Sequence, residues 1–551
     1  MKRFIGLLLV LPLASGVPSS AGRRDDGPYP PPIASISVCN PDNLGGLLRR
    51  GSCDEGTFDT HQLVLGPDGG SVNANTKALG AGIGVVPDEH SSVFAPMTLE
   101  RNHDYLFFLA SGLGGNAHIG VSVLSGGAGP DRSGQWTLSF PTADGYGSYS
   151  SGFGPVFNPT TKESICPDAP QGDKTQQDQT FDMHYAASGS IVKDPTAVPG
   201  SLLMVYEGTN ACSGNKGGPI FDNDDYISLA IATSLDYGKT WPTYRGHPPT
   251  FDFVKLPGVN QSQAPNAPTG ALGANVCMGN DCATTPPASY GRYPVVTPPV
   301  SLDSLMKAGT VLPDKYGEQE ISGFVDDVSP STTPYLYVNS GDARIARAAL
   351  NGGSAPLVFD KWDGHHFLSP GLGGDEVGVL PAGPGGSFTS CLAATQNQFG
   401  SSISYVDSTK QYLLTFVCVS TGDPKGGAGQ PGAVRGAAWF YATSYDPSDP
   451  AQWSSPDPLG NPQPREIEGS WSVFDPLATT CPDFKGWYPS FMSLDAEPGH
   501  LSSSGYVFYL WGCQGGGSGD APARAFSSRA FKIRKAEGRE GARDGHDAAL
   551  R

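Results

Sequence analysis

Residues 202–208 read LLMVYEG, an apolar run that ends in a carboxylate and a glycine. The pattern recurs at 105–112 (YLFFLASG), 335–341 (YLYVNSG), 412–418 (YLLTFVC) and 506–512 (YVFYLWG). Continuous apolar runs of this length, rich in aromatic and β-branched residues, predict strands buried on both faces. Each is preceded by a second strand candidate rich in small residues, at 92–98, 185–192, 292–297, 399–405 and 487–493. Each is followed by a third, at 118–124, 226–233, 343–349, 437–443 and 523–529, and then by a weaker fourth near Trp136, Trp241, Trp362, Trp453 and Phe531. Small residues suit the first strand of each unit, because strands close to a common axis are crowded. Four antiparallel strands repeated five times predict an all-β, five-bladed β-propeller.

Composition agrees. The chain has 551 residues, with 74 Gly and 50 Pro, and only 16% are charged. Gly and Pro disfavour a helical protein, and a formal net charge of −18 disfavours nucleic acid as a partner. Residues 1–21 have the basic start (Lys2, Arg3), short apolar run and small-residue end of a signal peptide. No later stretch is long and apolar enough to span a bilayer, so the expectation is a secreted, extracellular protein. Residues 22–85 read as an N-terminal extension packed on the propeller, 86–535 as the propeller itself, and 536–551 as a disordered tail.

The turn at 234–241 reads SLDYGKTW, and degenerate copies stand at 131–136 and from Ser444 and Asp446 to Trp453. The Asp side chain bonds turn amides, Gly supplies positive φ, and Trp packs between sheets. On these residues the chain resembles the Asp-box (BNR-repeat), sialidase-like propellers. Its five units are more similar to five-bladed arabinanase- and xylosidase-type glycoside hydrolases than to six-bladed sialidases.

Long connections precede the first strands and follow the second strands of the units. Long loops on a rigid scaffold hold binding residues, so the functional face is expected there. Its residues are Asp88, Glu89, Asp182, His184, Glu207, Arg292, Tyr293, Gln396, Trp487 and Tyr488. Carboxylates and amides suit sugar hydroxyls, and aromatic faces suit the C–H surfaces of the ring. A carbohydrate is therefore the expected substrate or ligand. Hydrolysis of a glycoside needs two carboxyl groups, about 5–5.5 Å apart for retention or about 6.5–9.5 Å for inversion. Glu207, Asp182 and Asp88 are the catalytic candidates, and Glu207 stands out because it interrupts an apolar strand. A non-catalytic, lectin-like propeller is the alternative. Sialidase activity ranks lower, because it needs an arginine cluster, and Arg292, Arg344, Arg435 and Arg524 are spread over different strands. No zinc-type spacing or dinucleotide fingerprint is found, so no cofactor is assigned. A structural Ca²⁺ would suit the oxygen-rich residues Asp222, Asn223, Asp224 and Asp225, although they lack EF-hand spacing.

The ten cysteines (Cys39, Cys53, Cys166, Cys212, Cys277, Cys282, Cys391, Cys418, Cys481 and Cys513) fit an oxidising compartment. Ten allow many connectivities. Three pairs bracket the first two strands of one unit each, and Cys39–Cys53 and Cys277–Cys282 would close small loops. Non-reducing peptide mapping is expected to recover Cys166–Cys212, Cys391–Cys418 and Cys481–Cys513. A disulfide crossing between units would contradict the strand assignment.

Overall fold

A computed structural model describes residues 30–38, 85–94, 104–112, 117–125, 135–142, 145–147, 185–211, 225–234, 292–299, 316–318, 321–328, 333–340, 343–352, 357–379, 401–419, 437–470, 484–493, 496–513 and 523–536. Strand β1 (Ile33–Val38) comes first and joins the last sheet. The first sheet holds β2 (Val85–Phe94), β3 (Asp104–Gly112), β4 (Ala117–Ser125), β5 (Gln135–Thr142) and β6 (Gly145–Gly147). The second holds β7 (Tyr185–Lys193), β8 (Leu202–Ala211), β9 (Asp225–Ser234) and β10 (Arg292–Val296), with β11 (Tyr316–Gly317) parallel to β9. The third holds β12 (Ser322–Asp326), β13 (Tyr335–Ser340), β14 (Arg344–Ala349), β15 (Asp360–Trp362) and β16 (Phe367–Pro370). The fourth holds β17 (Ser402–Val406), β18 (Gln411–Val419), β19 (Ala437–Ser444) and β20 (Arg465–Glu466). The fifth holds β21 (Phe484–Met492), β23 (Ser504–Cys513), β24 (Ala523–Lys535) and β1, while β22 (His500–Leu501) pairs in parallel with β17.

Among the described residues the fold is thus all-β, with five antiparallel sheets. Their first strands touch in a circuit: β2 meets β7, β7 meets β12, β12 meets β17, β17 meets β21, and β21 returns to β2. Apolar side chains fill the spaces between sheets. Leu203, Val205 and Ile231 of the second sheet pack with Leu336, Val338 and Phe359 beside the third. Tyr337 and Trp362 of the third pack with Tyr412, Phe416 and Trp453 beside the fourth. Leu413 and Trp439 of the fourth pack with Phe491, Val507 and Phe531 of the fifth. The Trp439 indole also donates to the Gly486 carbonyl at 2.7 Å, so its polar edge is satisfied when buried.

Four expectations need correction. Residues 292–297 do not begin the third unit; β10 is the fourth strand of the second sheet, and Ser322–Asp326 begins the third. Trp453 lies in a 3₁₀ helix (Pro450–Ser454), and the fourth strand there is β20. Phe531 continues β24, whose outer partner is β1. Part of the expected N-terminal extension therefore completes the last sheet, where Val38 lies opposite Phe531. Trp241 lies outside the described residues.

Strand β1 also ties two sheets together. The Ile33 amide donates to Gln411 Oε1 at 2.7 Å, and the Val38 amide donates to the Glu468 carbonyl at 2.9 Å. Ile36 is fully buried between the fourth and fifth sheets. Ile36→Ala should destabilise the protein by about 2–4 kcal/mol, transfer plus cavity, read as a shift in denaturant midpoint. A change under about 0.5 kcal/mol, as for a surface position, would contradict the place of β1 in the core.

Candidate functional site at the inner strands

Four of the inner strands line a cavity of about 60 Å³. Its walls include Ser190 and Ile191 of β7, Gly323 of β12, Ser402 and Ser404 of β17, and Ser490 of β21. That volume holds a few water molecules, not a sugar ring. Residues 497–500 form its floor, in the connection that follows β21. Of the expected site residues, Asp88, Glu89, Trp487 and Tyr488 lie on inner strands and Glu207 on a second strand, and the opposite end is where inner strands begin and second strands finish.

Three inner strands break register partway along their length. In β2 the break falls between Asp88, opposite Leu109, and Ser91, so Glu89 and His90 are bulged out. In β7 it falls between Ser188 and Ile191, and in β21 one break falls between Trp487 and Ser490. Bulges re-aim side chains and are frequent beside active sites. Tyr488 sits within the β21 bulge at φ 53° and is buried.

Glu207 lies on β8 opposite Ala187, and is only 7% exposed. Counted from the starts of β2 and β7, Asp88 and the Ala187–Glu207 pair stand at a similar level, and these two inner strands are neighbours. The starts of the inner strands in the third and fourth sheets carry neutral polar groups. Ser322 Oγ donates to Asn339 Oδ1 at 2.6 Å, and Asn339 Nδ2 donates to the Ser401 carbonyl at 2.8 Å. Ser402 Oγ and Thr415 Oγ1 lie 2.9 Å apart. These hydroxyl and amide groups are buried or half-buried and bond to one another between neighbouring strands.

The other expected site residues fall in different places. The backbones of Asp88, Glu89 and Trp487 lie on inner strands, while their side chains fall outside the described ones. Asp182, His184 and Gln396 lie outside the described residues. Arg292 and Tyr293 do not join the inner ring, since β10 is an outer strand. Cys418 and Cys513 fall in β18 and β23; Cys39, Cys53, Cys166, Cys212, Cys277, Cys282, Cys391 and Cys481 lie outside the described residues. Asp222, Asn223 and Asp224, three of the residues suited to Ca²⁺, do too. Among the described residues, no group of three or more His, Cys, Asp or Glu could hold a metal ion, and no helix is long and apolar enough to cross a membrane.

A charged cluster that sequence reading missed lies between the second and third sheets. Lys361, 1% exposed, donates to the carbonyls of Thr297 at 2.6 Å and Gly374 at 2.7 Å, and pairs with Glu376 Oε2 at 2.9 Å. Arg344 holds Glu376 Oε1 at 2.8 Å, and Ser340 donates to Glu318. The two carboxyl groups face each other, so one keeps a proton. Burial and the neighbouring Glu318 push Glu376 up to about 8, against the pull of Lys361 and Arg344. Burial opposes the charge of Glu318, but the Glu376 hydrogen bond, Arg344, Lys361 and Ser340 outweigh it and hold Glu318 low. No local sequence pattern joins Lys361 to Glu376, so only the fold reveals the pair.

No protein-family model matches the chain, and no curated protein matches it. Among solved structures, the catalytic domain of Coprinopsis cinerea GH62 alpha-L-arabinofuranosidase is similar at TM-score 0.33 and 10% identity, over 82% of this chain and 91% of that one. A Microbacterium saccharophilum K-1 beta-fructofuranosidase mutant is similar at TM-score 0.31 and 12% identity, over 90% and 77%. Trypanosoma rangeli sialidase is similar at TM-score 0.31 and 10% identity, over 86% and 60%. These likenesses are weak.

The raised Glu376 has a consequence for stability. The folded state keeps a proton that an ordinary glutamate, near 4.5, has released. Its contribution is full below that value and is lost as pH rises toward about 8. Glu376→Gln should flatten the fall in denaturant midpoint across this window. An equally steep fall in wild type and variant would contradict a proton held there.

Proposed function

We propose that this chain is a secreted, carbohydrate-active β-propeller of five blades, acting as a glycoside hydrolase where its inner strands begin. The observation that carries the reading is the buried Glu207 on the second strand of its sheet, one sheet away from the β2 bulge beside Asp88. The circuit of first strands supports the propeller, and the basic-then-apolar start of the chain supports export. In this reading Glu207 gives its proton to the glycosidic oxygen as the bond breaks. Asp182 or Asp88 acts from the other side, either attacking the anomeric carbon or activating water.

One observation favours a second reading. Where their inner strands begin, the third and fourth sheets hold amide and hydroxyl groups in place of carboxylates. A lectin-like propeller would need only such groups and aromatic surfaces. Sialidase activity is disfavoured: Arg344 is engaged by Glu376, and Arg292 lies on an outer strand.

Glu207→Gln and Asp182→Asn should each lower glycosidase rates by about 10²–10⁴-fold, assayed on aryl glycosides and polysaccharides beside a thermal melt. Glycan binding without cleavage by the wild-type protein would favour the lectin reading. Full activity in both variants would refute the assignment of these carboxylates.

A further inference from the structure

The floor of the central cavity comes from the connection between β21 and β23, and that short segment engages several sheets. Its β22 residues pair with Tyr405 and Val406 of β17. The Tyr405 amide donates to the Gly499 carbonyl at 2.8 Å, and the Asp407 amide donates to the Leu501 carbonyl at 3.0 Å. Gly499 has φ +86°, and a Cβ there would meet the Phe324 ring of β12 at 3.3 Å. Glu497 pairs with Lys193 at the end of β7.

His500 lies between two carboxylates. Its Nδ1 is 3.0 Å from Asp407 Oδ1, just beyond β17, and its Nε2 is 3.1 Å from Asp327 Oδ1, just beyond β12. A neutral imidazole donates through one nitrogen and accepts through the other, whereas an ionised carboxylate only accepts. Both contacts are hydrogen bonds together only when His500 is imidazolium. We propose that residues 496–501 are an acid-locked plug, closing this mouth of the channel while His500 is protonated and loosening when it loses its proton.

The surroundings agree. Burial disfavours the cation, but hydrogen bonds and charge from Asp327 and Asp407 outweigh it and raise the His500 pKa above its ordinary value. The hydrogen bond from His500 in turn lowers Asp327, against burial. The Tyr405 ring packs edge-on against the imidazole at 5.4 Å, and the Lys410 ammonium sits over that ring at 5.7 Å. Lys193 also acts on Asp327 and pairs with Glu497. With the folded-state pKa raised, the lock is fully present below about pH 6.5 and is lost as pH rises through the higher folded value. Deprotonation leaves one ring nitrogen facing a carboxylate with no proton between them. The cavity above would then open toward solvent.

Hydrogen exchange on the full chain tests this, corrected for the intrinsic pH dependence of exchange, with β18 as an internal reference. In wild type, protection of the His500, Tyr405 and Asp407 amides should fall about tenfold or more between pH 6 and pH 9, as expected for losing a charged hydrogen bond, while β18 is unchanged. His500→Gln should show the low protection already at pH 6. Asp407→Asn, which leaves one carboxylate on the imidazole, should lie between the two and serves if His500→Gln does not fold. Constant protection in wild type would overturn the proposal. An unchanged pH-dependent fall in His500→Gln, or an equal fall in β18, would do so too.

Discussion

Crowding where the inner strands meet is the constraint on which the rest of the structure depends. A Cβ on Gly189 of β7 would stand 2.2 Å from the Ile321 carbonyl oxygen, against backbone that cannot give way. A Cβ on Gly323 of β12 would stand 2.6 Å from Val205 Cγ2. Strands can approach this closely only if their facing residues are small. That is why Gly189 and Gly323 stand where β7 and β12 come close to their neighbours, while β8 behind β7 reads as Leu, Met, Val and Tyr. Bulk excluded near the channel is placed between the sheets, where Trp439, Tyr337 and Trp453 are buried.

The same constraint shapes the channel. Partway along, the inner strands bulge at Glu89–His90, Gly189–Ser190 and Tyr488–Pro489, which breaks their regular alternation. At one end, the connection containing His500 lies under the cavity and bonds to neighbouring sheets. A chain this acidic must hold like charges apart or balance them. It does so locally, with Lys361 and Arg344 around the Glu318–Glu376 pair and His500 between Asp327 and Asp407.

The second strand of each unit is legible in the sequence as a continuous apolar run. The third unit's first strand is not. Residues 322–326, SGFVD, are short and mostly small, whereas RYPVV at 292–296 has the stronger strand character. That stronger segment returns after a long insertion to close the second sheet. Strand β1 is hidden for another reason. Its partner β24 lies toward the opposite end of the sequence, and no repeat period marks the pairing. The chemistry of the Asp446 turn is legible: its carboxylate accepts the Ser448 amide at 2.8 Å, and Trp453 is fully buried. Only the element carrying that tryptophan differs. Of the candidate site, Glu207 and the inner-strand positions of Asp88, Trp487 and Tyr488 are legible. The His500 clamp and the Lys361 cluster are not, because their members meet only across sheets.

A functional site beside Glu207 requires that ligand engage the end of the channel where β2 and β7 begin. A crystal structure of the protein bound to short oligosaccharides tests this most directly. Sugar density is predicted at that end, with ring hydroxyls near Glu207 and the bulged segment of β2. Density confined to the outer strands, or to the mouth covered by residues 496–501, would contradict it.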